Sequence, residues 1–215
     1  MAGFFPITGD LPPALPLFPL EGVLLLPHAW LPLHVFEPRY VAMVNAILAT
    51  QDRLVGMIQP DRAGLAMVGC AGRISSFTET LDGTYMITLR GISRFHLLDT
   101  QEDANPWLTG SVSWSAFNQD LGEESRDVGF DQSVFLNLLG RYSKMRGREM
   151  ETAARKGMAE LSVDALVSEV AMSGGFSAAD KQGILEAPDL GERRALLVNL
   201  MQFALHGDKG KGRMQ

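Results

Sequence analysis

The side chains able to do chemistry are few and scattered. Four histidines stand at 28, 34, 96 and 206, with no H-E-x-x-H spacing and no cysteine pair, so a metal site is not expected. Cys70 is the single cysteine. It has no partner for an internal disulfide, fits a reducing compartment and reads as a small core residue. There is no G-x-x-x-x-G-K-[ST] loop, and no other glycine-rich loop ends in a lysine placed to meet phosphates. Serine and lysine both occur, but no motif pairs them as nucleophile and base. The most concentrated polar group beside a core is Phe36-Glu37-Pro38-Arg39-Tyr40. Glu37 suits a helix start through the helix dipole, and Tyr40 falls on an apolar helical face. A structural role therefore outweighs a ligand role for this segment. No catalytic residue, cofactor or metal is expected.

Anchors for binding come from the β-rich part. Asp82-Gly83 lies between two strand-like runs and is the strongest hairpin signal in the sequence. A two-residue turn there pairs Leu81 with Thr84. It places Ile74, Tyr85, Ile87 and Leu89 on one face, and Phe77 and Met86 together on the other as diagonal neighbours. Two readings of that apolar pair stand: the helical part or the N-terminal lead-in covers it, or it receives extended apolar polypeptide segments. Trp107 and Trp114 read as core first, and either could line a groove. The peptide-binding candidates are Phe77, Met86 and Trp107.

Residues 15–26 form a near-continuous apolar run broken by Pro16, Pro19, Glu21 and Gly22, which reads as short buried strand pieces. Residues 31–36 read as a second strand. Pro38 then suits a first helical position, and Tyr40, Met43, Val44, Ile47 and Leu48 recur on one helical face. Strands follow at 54–59, 67–81, 85–90 and 91–98, with a closing strand at 107–117. The polar, acidic stretch 118–127 reads as a linker. Beyond it the period is helical. Ser162 is placed to cap one helix and Ser177 with Asp180 to form a capping box for another. Glycines 207, 210 and 212 then interrupt helix propagation, so the last helix is expected to end near His206. The division is a lead-in at 1–14, a β-rich domain with one helix at 15–118, a linker at 119–127, a helical subdomain at 128–206 and a disordered tail at 207–215.

Charge limits the partners. The net charge is −6. Residues 1–118 contain six arginines, no lysine and ten Asp or Glu, which argues against a nucleic-acid footprint. No secretory signal is expected at the N-terminus, and no apolar run is long enough for a membrane span. A cytoplasmic protein is expected.

The stretch LPLFPL, the Leu26-Pro27 pair, L-x-V-F-E-P-R-Y at 33–40 and the helix after it resemble the opening of the Lon protease N-terminal, substrate-binding domain family. So do GCAGRI, YMITLRGISRF with its G-x-x-R-F motif, and ADKQGILEAPDLGERRALLVNLM. The resemblance covers about residues 15–205. It implies an α+β protein in which a PUA-like β-barrel is followed by an α-helical bundle. It also implies a non-catalytic, protein-binding role toward unfolded or misfolded polypeptides, or service as an adaptor to a separate ATP-dependent protease, with self-association open. In that family ATPase and Ser–Lys protease modules follow, and this sequence stops short of both, so a stand-alone module is expected. An RNA-binding PUA-like module or an unrecognised hydrolase remains the alternative.

Overall fold

The computed structural model describes residues 11–62, 64–102, 104–122 and 130–211. The protein divides into two compact units, Met1–Glu123 and Glu124–Gln215. The first contains β1 (Ala14–Pro19), β2 (Trp30–Val35), α1 (Pro38–Leu48), β3 (Leu54–Ile58), the short pair β4 (Pro60–Asp61) and β5 (Gly64–Leu65), β6 (Val68–Glu79), β7 (Tyr85–Glu102) and β8 (Leu108–Ser113). A 3-10 segment, Ser115–Leu121, follows.

The main sheet runs β2-β7-β6-β3-β1-β8, and β8 pairs back onto β7. That last pairing closes β7, β6, β3, β1 and β8 into a barrel, with β2 appended outside the ring. Closure depends on β7, whose early residues pair with β2 and β6 and whose later residues pair with β6 and β8. Two register shifts in the β6–β7 ladder, at Ala71/Gly72 and Ile74/Ser76, supply the bends such closure needs. Leu15, Leu17, Leu54, Ile58, Ala71, Phe95, Leu97 and Val112 fill one core cluster. α1 buries Tyr40, Met43, Val44 and Ile47. The Phe18 and Tyr40 rings lie 4.2 Å apart, and Tyr85 donates to Asn45 at 2.8 Å.

The G-x-x-R-F motif acquires a physical reason. A side chain at Gly91 would put a Cβ 1.9 Å from the Leu26 carbonyl oxygen. Arg94 is buried and donates to Asp120 from its backbone N at 2.9 Å, from Nε at 2.8 Å and from Nη2 at 2.8 Å. Phe95 is fully buried in the core cluster.

The second unit contains α2 (Gln132–Met145), α3 (Thr152–Ala159), α4 (Val163–Ser173), α5 (Ala178–Glu186) and α6 (Leu190–Lys211). The Ser162 hydroxyl accepts from the Ala165 amide, and Ser177 and Asp180 form a complete capping box. Leu190, Leu197 and Met201 of α6 are buried, and Arg193 shares that face. Arg193 reaches the Asp164 carboxylate at 4.0 Å.

Several sequence expectations are corrected. Only 14–19 of the first apolar run is strand; Leu24, Leu25 and Leu26 are buried outside regular structure, because Pro19, Glu21 and Gly22 break the ladder. The last barrel strand stops at Ser113, and Phe117 belongs to the 3-10 segment. Residues 119–121, read as linker, are held to the barrel by the buried Asp120; residues 123–127 lie outside the described ones. The lead-in joins the barrel from residue 11: Trp114 Nε1 donates to the Pro12 carbonyl at 2.9 Å. Residues 1–10 lie outside the described ones. Finally, α6 continues past His206 to Lys211. Each residue added to an existing helix gains a backbone bond, which offsets the cost of about 1 kcal/mol per glycine. Residues 212–215 lie outside the described ones.

Candidate functional site

The hairpin between β6 and β7 decides which residues can act together. The Thr80 amide donates to the Thr84 carbonyl at 2.9 Å, and the Gly83 amide to the Thr80 carbonyl at 3.0 Å. The loop therefore has three residues, Leu81-Asp82-Gly83, with Gly83 at φ +78°. The side chains of Thr80, Asp82 and Thr84 bond one another across it. Those bonds hold the Asp82 carboxyl below its ordinary range, the Thr80 hydroxyl contributing most.

This closure gives a register of Glu79↔Tyr85, Thr78↔Met86, Phe77↔Ile87 and Ser76↔Thr88, one residue away from the register that a two-residue turn implies. A one-residue slip sends each side chain to the other face. Phe77 thus shares its face with Ile87 and Tyr85, whose ring lies 6.4 Å away. Met86 points to the opposite face. The expected Phe77–Met86 patch does not exist, although each is 47% exposed. Trp107 is half-buried just before β8, whose start pairs with the far end of β7. The three candidates are not brought together.

The structure groups a different set. On the face that carries Met86, β2 contributes Trp30, Pro32 and His34 opposite Arg90, Thr88 and Met86 of β7. β6 adds Ser76 and Thr78. Trp30 is 50% exposed and Phe36 63%. The His34 and Phe36 rings lie 5.6 Å apart, and His34 Nε2 is 2.9 Å from Thr84 Oγ1. The Arg90 guanidinium sits over Trp30, 5.5 Å from the ring centroid. The result is an apolar, aromatic strip along β2 bordered by hydroxyls on β6. β2 is also a terminal strand of the sheet. Pro32 at its centre has no amide to offer a further strand, so the face rather than the edge is the surface fit for contact.

The segment Phe36-Glu37-Pro38-Arg39-Tyr40 splits. Pro38 begins α1, Tyr40 is buried, and Glu37 pairs with Arg39 at 2.9 Å. Burial raises the Tyr40 hydroxyl above its ordinary value. Phe36, read as part of the structural segment, instead faces outward beside His34. Its exposure was hidden because one aromatic at the end of a strand-like run reads the same whether it turns in or out.

The second unit holds a separate concavity of about 600 Å³ between α2 and α6, lined by Phe130, Val134, Leu138, Arg141, Arg194 and Val198 among others. Arg194 lies over the Phe130 ring at 5.1 Å. Among the described residues no group of three or more His, Cys, Asp or Glu is placed to hold a metal, and no helix is long and apolar enough to cross a membrane.

A mixed sheet closed into a barrel in one unit and a set of packed helices in the other define an α+β protein that carries exposed large apolar side chains on one sheet face. Comparison with known proteins matches this architecture. A family model described as the ATP-dependent protease La (LON) substrate-binding domain covers residues 14–202. The protein belongs to that family. Curated relatives include Lon protease of Xanthomonas oryzae pv. oryzae, 26% identical over 195 residues, covering 87% of this protein and 22% of the relative. Another is Lon protease of Nitrosococcus oceani, 29% identical over 119 residues, covering 52% and 15% respectively. The sequence thus spans less than a quarter of the length of these two relatives. Among solved structures, the Lon N-terminal domain protein from Xanthomonas campestris shares the fold with a TM-score of 0.61 at 24% identity, covering 86% of this protein and 97% of that one. The N-terminal domain of Mycobacterium avium complex Lon protease gives 0.58 at 16%, covering 88% and 98%.

Proposed function

We propose that this protein is a non-catalytic polypeptide-recognition module whose contact surface is the exposed face of β2, β7 and β6. Unfolded or misfolded segments lay apolar side chains against Trp30, Phe36 and Met86, and the module acts as an adaptor for an ATP-dependent protease. The observation that carries the reading is the exposure of three large apolar side chains, Trp30 at 50%, Phe36 at 63% and Met86 at 47%, along one sheet face. Such side chains are costly to leave in water and suit loosely specific binding. Membership in a substrate-binding family supports it.

The test uses fluorescently labelled, permanently unfolded, reduced and alkylated lactalbumin and fluorescence anisotropy. Changing Trp30 and Met86 together to Ser is expected to weaken binding at least tenfold and to leave thermal stability nearly unchanged. Phe77→Ser, on the other face, is expected to leave binding unchanged. Equal binding by wild type and the double variant would move the site elsewhere.

A further inference from the structure

The threonines that close the hairpin also reach onto the exposed face, where they settle which nitrogen of one imidazole carries its hydrogen. Asp82 accepts from the Thr80 and Thr84 hydroxyls, from the latter at 3.0 Å. With its carboxyl held below the ordinary range, Asp82 is ionised at neutral pH and offers only acceptors. A hydroxyl has one proton, and a bond to a carboxylate is about twice as strong as one between neutral groups. The Thr84 proton therefore goes to Asp82. Thr84 Oγ1 lies 2.9 Å from His34 Nε2, and with its proton so placed it meets the ring as an acceptor. Donation from Thr84 to Thr80, 2.7 Å away, leads to the same result. Nε2 thus carries the hydrogen, and Nδ1 of the neutral ring is a bare acceptor. Among the described residues Nδ1 makes no hydrogen bond. His34 is exposed, opposite Met86 and 5.6 Å from the Phe36 ring.

We propose that His34 is a specificity-determining residue of this face: its Nδ1 accepts a main-chain N–H of a bound polypeptide, while Trp30, Phe36 and Met86 take apolar side chains. This rests on the polypeptide-binding reading above and gives it a polar contact. A main-chain N–H is the donor that almost every residue of an unfolded segment offers, whatever its side chain, which suits a surface of loose specificity. A second proton on the ring removes the contact. Nδ1 then becomes a donor facing a donor, and a charge stands on an apolar strip. The charged groups around the ring do not replace that contact. Asp82 is engaged through Thr84. β7 sets Met86 opposite His34, and its Arg90 lies further along, over Trp30. β6 contributes the hydroxyls of Ser76 and Thr78. Glu37 and Arg39, just beyond β2, pair with each other at 2.9 Å. Binding is therefore expected to weaken as pH falls and the imidazole gains its charge.

The experiment is calorimetric titration of the 215-residue protein with an acetylated, amidated, apolar hexapeptide that has no titratable group. Affinity is expected to fall at least about fivefold between about pH 7.5 and about pH 5.5. His34→Phe keeps a ring beside Phe36 but removes the acceptor and its titration, and is expected to bind within about twofold at the two pH values. Two further peptides, N-methylated at odd or at even positions, locate the donor: one of them is expected to bind wild type with no more than about a twofold change between the two pH values. Long-range proton–nitrogen NMR of wild type reads the ring directly, and the hydrogen is expected on Nε2 at neutral pH. An affinity of wild type that does not fall with pH, a fall that survives His34→Phe or persists with both methylated peptides, or a hydrogen found on Nδ1 overturns the proposal and leaves the polypeptide-binding reading standing. Absence of binding at both pH values overturns the polypeptide-binding reading itself, and the role of His34 with it.

Discussion

Removing the Asp120 carboxylate isolates the interaction that ties the 3-10 segment to the barrel. Arg94 is 1% exposed and Asp120 7%. One carboxylate accepts three hydrogen bonds from Arg94, including the backbone one. Arg94 also lies over the Phe117 ring at 4.6 Å, so the whole segment packs around the guanidinium. Asp120→Ala leaves a buried cation without its carboxylate, which costs about 3–5 kcal/mol. The lost acceptor of the Arg94 amide pushes the loss toward the upper end. Against a typical total of about 5–15 kcal/mol, such a unit becomes marginal. The pair Arg94→Met with Asp120→Leu removes both charges and is expected to lose only about 1–2 kcal/mol, because an apolar replacement of a buried pair is near neutral. What remains is chiefly the unmatched amide. Urea unfolding followed by tryptophan fluorescence measures both. All three tryptophans, at 30, 107 and 114, lie in Met1–Glu123, so the signal reads that unit alone. Trp114 is 5.9 Å from Phe95, the neighbour of Arg94. A loss below about 1 kcal/mol for Asp120→Ala, or a double variant as damaged as the single one, would refute this account of the pair.

Two further outcomes follow from backbone geometry. Gly91→Ala forces a Cβ onto the Leu26 carbonyl oxygen, a backbone atom that cannot swing aside; a loss of about 3 kcal/mol or more is expected by the same urea assay. A loss under about 1 kcal/mol would mean that the 20–29 segment yields easily. Gly207→Ala, in an exposed turn of α6 with nothing within 4 Å of the new Cβ, is expected to stabilise the helix by about 0.5–1 kcal/mol. Thermal melting followed by circular dichroism checks it, and a loss of stability would show that the helix does not persist past His206.

Much of the fold was legible because its signals are local. The start of α1 follows from Pro38 and the spacing of Tyr40, Met43, Val44 and Ile47, and those four side chains are the ones buried. The capping box at Ser177 is a four-residue pattern and stands as read. The candidate site was less legible, for one specific reason. Asp82-Gly83 marks the hairpin but not its loop length. The threonines at 80 and 84 close a three-residue loop through mutual side-chain bonds, and that single extra residue exchanges the two faces. Phe77 then left the expected patch, while Trp30, Phe36 and Met86 formed another. The Arg94–Asp120 pair was invisible for a different reason. Its members are separated by 26 positions, and Asp120 lies in a run whose polar composition reads as linker.

On the proposed polypeptide-binding reading, the continuity of β7 sets where the entropic cost of recognition falls. One strand of 18 residues serves both the exposed face and the barrel wall, so the surface cannot reshape itself without loosening the core behind it. A partner meets a preformed relief, and nearly all the ordering on contact is demanded of the partner. A folded protein would have to surrender its own packing to comply. A polypeptide that has already lost its structure gives up only the freedom of the few residues it lays down. Discrimination between folded and unfolded partners can thus arise from stiffness alone, without any motif in the partner being read.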